Sequence, residues 1–318
     1  MNLDSLDFEQ PIDELNEKIK ELQQVDRNGE LNIEEEVSRL KEKSQSLTRD
    51  IFKHLTDPQI IALSRHPKRP HTIDYIDMIF SEFNELHGDR HGDQAPSIIT
   101  GITYLEQQAV VVVGQEKGRT TKEKVSRNFG MSSPSAFRKA LRVMKLAEKF
   151  NLPVITFIDT PGAYPGSDAE KNNQSEAIAR NLYEMSTLKT PIISIITGEG
   201  CSGGALGIGV SDYLIMLEYS YFSVISPEAC ASIIWKNSTK SSEAIEAMSI
   251  TPKHLLKMKI IDEILEEPLG GAHRDPKAMG HTIQKSLTHH VKRLKEIPID
   301  TLIEDRLKKL MSIGVEGK

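Results

Sequence analysis

The stretch GEGCSGGALGIG, Gly198 to Gly209, is where residue types and spacing in this chain could do chemistry. A predicted strand, Pro191 to Thr197, runs into it, and a short helix opens at Gly203. Backbone N–H groups at a helix start can converge on one point, which suits an anion or a carbonyl oxygen turning anionic. Glycine permits that approach, because a side chain would block it and forbid some backbone angles. Three motifs share these letters and the neighbouring ones. Gly198-x-Gly200-x-x-Gly203 is a dinucleotide fingerprint, with Glu218 where a ribose-binding acid belongs. However, only about eight residues separate Gly203 from the next predicted strand, which is short for a crossover helix. Gly200-x-Ser202-x-Gly204 has the letters of a hydrolase nucleophile elbow, and Asp262 and His273 follow in triad order. Only geometry can establish a triad. Asp159-Thr160-Pro161-Gly162 looks like a GTPase switch, but no Gly-x-x-x-x-Gly-Lys-Ser/Thr loop occurs. Glycines that serve only tight helix–strand packing remain an open alternative.

The elements that must hold this turn follow from periodicity. Ile12, Leu15, Ile19 and Leu22 share one helical face, Asp26 to Gly29 breaks the pattern, and Val37, Leu40 and Leu47 resume it, which predicts a helical hairpin. A helix is predicted over 72–86, with Ile73, Ile76, Ile79, Phe80 and Phe83 inward. Ile98 to Leu105 and Ala109 to Gln115 read as a β-hairpin. Helices at 134–150 and 175–188 then alternate with apolar strands at 153–158 and 191–197. Short strands at 213–217 and 221–225 precede helical segments to the end. Strand–helix alternation with apolar strands predicts an α/β fold with a parallel sheet covered by helices.

Composition narrows the function class. The 318 residues carry a net charge of −6, which argues against nucleic-acid binding. Two cysteines make neither a disulfide framework nor a four-thiolate zinc site. The start, MNLDSLDFEQ, has no basic-then-apolar leader, and the longest apolar run, Ala109 to Val113, is strand-length. A cytoplasmic protein without a membrane span is expected. Residues 117 to 145 hold nine Lys or Arg against one acid, Glu123. Lys122, Lys124, Arg127 and Arg138 are therefore candidate anion-binding residues, or simply a solvated face. His87, Asp89 and His91 lie among glycines, so a loop rather than a metal-binding helix is expected. Cys201 reads as a small buried hydrophobe, and His289-His290 as surface helix.

Longer stretches carry a resemblance. IDTPGAYPG (158–166), SEAIARNLYEM (175–185), GEGCSGGALGIGV, VISPEACASIIWK and EPLGGAH look like the alpha subunits of bacterial acetyl-CoA carboxylase carboxyltransferase. So do Lys122-Glu123-Lys124, Arg127 to Met131 and Arg138 to Leu141. The resemblance covers nearly the whole chain. It implies a crotonase-like spiral of ββα units (56–318) behind a charged helical hairpin (1–55). It implies transfer of a carboxyl group from carboxybiotin to acetyl-CoA, giving malonyl-CoA, the committed step of fatty acid synthesis. Biotin would ride on a biotin carboxyl carrier protein, and ATP would be used by a biotin carboxylase. A zinc-bearing beta subunit would complete an α2β2 assembly, with no metal on this chain. Gly203 and Gly204 would be the catalytic oxyanion pair, with Gly162, Ala163, Tyr164, Gly166, Gly200 and Ser202 binding substrate. A crotonase-type thioester hydrolase or lyase using Ser202 is the alternative, and a non-catalytic scaffold a third class. The chain departs from the family pattern at Cys201, Ala229, Lys171 to Asn173 and Ser135 to Phe137. A positive φ at Cys201 would strain the turn.

Overall fold

The structure is a computed structural model and describes residues 5–25 and 33–314. Its strands, in chain order, are β1 (Ser81–Glu85), β2 (Ile98–Leu105), β3 (Gln108–Gln115), β4 (Val154–Thr160), β5 (Ile192–Cys201), β6 (Tyr213–Leu217), β7 (Tyr221–Ser223) and β8 (Glu263–Leu265). They form one mixed sheet in the order β1-β2-β3-β4-β5-β6-β8. β1, β2 and β3 pair antiparallel, and β3 to β6 and β8 run parallel. Residues alternate between two core layers: Val111, Val113, Ile158 and Ile196 lie on one face, Val112, Ile155, Phe157 and Ile195 on the other. The 134–149 and 174–187 helices cover the first face, and the 72–79 and 276–295 helices the second. A sheet buried on both sides needs apolar residues at every position, which is why its strands lack alternation.

β5 changes partners along its length. Ile193 to Ile196 pair with β6, whereas Glu199 to Cys201 pair with β7. On its other edge the register with β4 slips between Ile158 and Thr160. The predicted glycine-rich turn is therefore strand as far as Cys201, and the chain leaves the sheet only there.

Two expectations need correction. The helix expected over 72–86 ends at Ile79, and Phe80 is already extended. Its apolar spacing fits a helix, but β2 has a free edge that β1 fills, pairing Glu85 with Gly101. Glycine at 101 is what makes room, since a Cβ there would lie 2.4 Å from the Phe83 ring. The C-terminal part, expected to be helical, also contributes β8.

The helices Gln10–Val25 and Ile33–Lys53 pack along the predicted seam, with Leu15, Ile19 and Leu22 against Val37 and Leu40. The predicted break at 26–29 lies outside the described residues. Ile12, Leu47 and Phe52 join Leu63 and Tyr219 of the main body. Buried Glu9 seals the joint: its Oε1 accepts from His273 Nε2 at 3.0 Å and Arg274 Nη2 at 2.8 Å, with His66 Nε2 3.5 Å from Oε2. Burial, followed by the neighbouring His273, pushes the His66 imidazole down to about 4. Between pH 6.5 and 4 the unfolded chain thus binds a proton that the folded chain refuses, so stability falls with falling pH. Urea titrations should show roughly 2 kcal/mol lost from this group between pH 7 and 5. His66→Gln should flatten that slope. Equal slopes for both proteins would refute the account. Glu9, held below its usual range by His273 and Arg274 against the opposing effect of burial, adds its loss only in stronger acid.

Candidate active site

Where β5 leaves the sheet, Cys201 stays extended (φ −114°) and Ser202 takes φ 56°. The strain expected at Cys201 is thus carried by Ser202. A non-glycine residue in this region costs ~1–3 kcal/mol and persists where the surroundings enforce it. The reversal starts the Ser202–Leu206 helix, so the N–H groups of Gly203 and Gly204 belong to its first turn and have no helical partner. Among the described residues no acceptor outside the helix is assigned to either.

Gly204 is buried against the peptide joining Gly162 and Ala163: a Cβ on it would lie 2.4 Å from the Gly162 carbonyl carbon. That peptide is pinned. Thr160 Oγ1 lies 2.7 Å from the Gly162 carbonyl oxygen and accepts the Gly162 N–H at 3.1 Å. Ala163 bridges to Ser132, and Tyr164 N–H donates to the Ser132 carbonyl at 3.1 Å. Gln174 Nε2 donates to the carbonyls of Ser132 and Tyr164. Gly166 packs against the Tyr164 ring. The turn expected at 162–166 therefore does abut the glycine helix. Beside it a cavity of about 230 Å³ is lined by Ser202, Gly203, Leu206, Phe222, Val224 and Leu255, among others. Gly200 does not line it, because it is buried in β5 opposite Phe222.

The strand end is held by charge. Glu199 Oε2 accepts from Arg65 Nε at 2.7 Å and Tyr221 Oη at 2.9 Å, and Oε1 from Lys117 Nζ at 2.7 Å. Lys117 also meets Asp159 Oδ1 at 2.7 Å, and the same oxygen accepts the Glu199 N–H. Burial alone would raise the Glu199 carboxyl, but Lys117 and Arg65 outweigh it and hold it at about 2. Arg65 further binds Glu228 at 2.6 Å. In the sequence Asp159 stood out only as the head of a GTPase-like switch and Lys117 only as the start of a basic segment; the others gave no signal beyond a charge near an apolar run.

The nucleophile-elbow alternative fails on geometry. Ser202 has the strained turn, but His273 is bound to Glu9 and stacked on His66, with ring centroids 3.8 Å apart. Asp262 accepts the Leu214 N–H and pairs with Lys309. Burial pushes the Cys201 thiol up to about 11, so it is not a thiolate nucleophile. The candidate anion-binding residues disperse. Arg127 donates to the Pro96 carbonyl and Arg138 to the Asn172 carbonyl. Lys122 is exposed, and Lys124 borders a separate cleft with Arg65 and Arg119. His290, expected at the surface, is buried on Glu263 and Tyr213.

Among the described residues one grouping, Glu9, His66 and His273, brings ligand-type atoms within metal-binding range. His66 Nδ1 accepts the Lys68 N–H at 3.1 Å, so a neutral ring carries its proton on Nε2 and directs N–H, not a lone pair, at Glu9. The two imidazoles are stacked, 22° from parallel, and their in-plane lone pairs do not meet at one point. This is a hydrogen-bonded joint.

Comparison with known proteins follows the same lines. The acetyl co-enzyme A carboxylase carboxyltransferase-like family matches residues 5–314. A protein of Coxiella burnetii named acetyl-coenzyme A carboxylase carboxyl transferase subunit alpha is 58% identical over 314 residues, covering 99% of both chains. Proteins of the same name from Methylococcus capsulatus and Pseudomonas fluorescens are each 55% identical, over 99% of this chain and 98% and 100% of theirs. Among solved structures, transcarboxylase 12S is similar at TM-score 0.57 and 18% identity, over 70% of this chain and 42% of that one. A Pseudomonas malonate decarboxylase hetero-tetramer bound to coenzyme A gives TM-score 0.57 and 17% identity, over 70% and 89%. These likenesses establish the crotonase-type fold.

Proposed function

The chain belongs to the family of acetyl-coenzyme A carboxylase carboxyltransferase alpha subunits, and from that premise we propose that its Gly203 and Gly204 amides receive the charge that develops during carboxyl transfer. It is a biotin-dependent transferase subunit. The carboxyl donor is carboxybiotin on a carrier protein charged by an ATP-using biotin carboxylase, and the acceptor is acetyl-CoA bound largely by a zinc-bearing beta subunit.

The observation that carries this proposal is the pair of unengaged first-turn amides beside an apolar cavity. A biotin head group is an uncharged bicycle with one ureido carbonyl, and leaving its carboxyl group makes that oxygen negative. Leu206, Phe222 and Leu255 line the cavity with Gly203 and suit the rings, and the first-turn N–H groups of Gly203 and its neighbour Gly204 suit the oxygen. Donors fixed beforehand at a site poor in water stabilise the developing charge without reorganising. No protein nucleophile is needed. Gly162, Ala163 and Tyr164 do not line the cavity; they back the glycine helix, where Gly204, having no side chain, packs on the Gly162–Ala163 peptide.

Val224 on the cavity lining, and Ile233 and Ile234 of the Pro227–Trp235 helix, are 80%, 63% and 62% exposed. Apolar side chains this exposed call for cover, and the homologous beta subunit supplies it in an α2β2 assembly. Residues 1–55 act as an arm on the catalytic body, 56–318.

Purified alone and with its beta subunit, the chain should form malonyl-CoA only as the pair. Ser202→Ala should keep activity within about tenfold, since no covalent step uses the hydroxyl. Thioester hydrolysis by the chain alone, lost on Ser202→Ala, would restore the hydrolase alternative.

A further inference from the structure

We propose that Gln115 is the positioning residue of the glycine turn. It ends β3 and is fully buried. Its Nε2 donates to the Gly204 carbonyl oxygen at 2.7 Å, and its Oε1 accepts the Asp159 N–H at 3.2 Å. One neighbour only accepts and the other only donates, so the side-chain amide has a single satisfying orientation.

That carbonyl is missing from the helical ladder. Gly207 N–H goes to Gly203, and Ile208 N–H, the partner expected for Gly204, goes to Ala205 at 3.3 Å. Gln115 takes the place of the absent helical bond. It fixes the peptide plane that follows Gly204, while the Gly162–Ala163 contact fixes the Gly204 α-carbon. With both constrained, the direction of the Gly204 N–H is set. Asp159, at the other end of the same amide, accepts the Glu199 N–H, so Gln115 also ties the glycine helix to the end of β5. The assignment rests on the Gly203 and Gly204 amides being the oxyanion donors. Gln115 does not itself reach the reacting atoms.

The test uses the chain co-purified with its beta subunit. Gln115→Met keeps the volume but cannot bind either neighbour. It should lower kcat by roughly 10- to 100-fold, with KM for acetyl-CoA changed less than about threefold. Thr156→Val is the control for stability, since it removes an equally buried bond, Thr156 Oγ1 to Ser194 Oγ at 2.7 Å, away from the turn. It should leave kcat within about twofold.

Gln115→Glu supplies a second readout. When protonated, the carboxyl group introduced by that substitution can donate to the Gly204 carbonyl and accept from Asp159, whereas its ionised form repels that carbonyl. The kcat ratio of Gln115→Glu to wild type should therefore rise as pH falls, and this test decides the matter if Gln115→Met does not fold. Unchanged kcat in Gln115→Met, a loss carried by KM, or a pH-independent ratio for Gln115→Glu would each overturn the proposal. Full activity in Gly204→Val would instead overturn the oxyanion assignment itself.

Discussion

Gly204→Ala should lower carboxyl transfer by the paired enzyme on the order of 10³-fold, while Gly203→Ala loses far less. Both variants keep their N–H groups, so the difference must come from space. A Cβ at Gly204 would sit 2.4 Å from the Gly162 carbonyl carbon and 2.7 Å from the Ala163 nitrogen. Neither can retreat, because Thr160, Ser132 and Gln174 hold that segment from three directions. The glycine helix must move instead, and with it the donors. Displacing one oxyanion donor typically costs ~10²–10³ in rate, and this shift disturbs both. A Cβ at Gly203 meets only the Ile178 side chain, its Cδ1 atom at 3.3 Å, the tip of a flexible group. Steady-state kinetics of the two variants, with pairing checked by gel filtration, decide the matter. Equal losses would mean that close packing at Gly204 is not what aims the amides.

The second large effect concerns stability. Arg306 is wholly buried in the Ile299–Ser312 helix. It grips Asp212 through Nε and Nη2, each at 2.8 Å, and donates to the carbonyls of Met185, Leu188 and Thr190. Asp212 is nearly as buried, and burial pushes its carboxyl up despite the guanidinium beside it. Arg306→Met should cost about 3–5 kcal/mol, because it leaves a buried carboxylate with the Ile192 N–H but no counter-charge paired with it, and takes the guanidinium from three carbonyls. For a chain of this size the melting temperature should fall by roughly 10 °C. Arg306→Met combined with Asp212→Leu should regain more than half of that loss, since no unpaired charge remains. Thermal melts of the two single variants and the double one test this. A double variant less stable than Arg306→Met would show that the ion pair stabilises the fold beyond cancelling its own burial.

The sequence by itself singled out the glycines proposed here as oxyanion donors. Repeated glycines between an apolar strand and a helical segment require close backbone approach wherever they occur, and the longer stretches around them identify the family. Strands β2 to β6 were equally plain, because burial on both faces demands unbroken apolar runs. Tertiary structure alone decided the rest. Gln115, Glu199, Asp159 and Lys117 act by meeting residues 40 to 89 positions away, and no local pattern encodes such meetings. Phe80 and Phe83 fit a helix by spacing until the free edge of β2 drew Phe83 into β1 and left Phe80 extended ahead of it. Ser202 rather than Cys201 bears the positive φ, because β7 holds Cys201 extended and leaves the reversal to the next residue. Side-chain periodicity is a local property written along the chain. The direction of an N–H group is set by whatever packs around it from elsewhere.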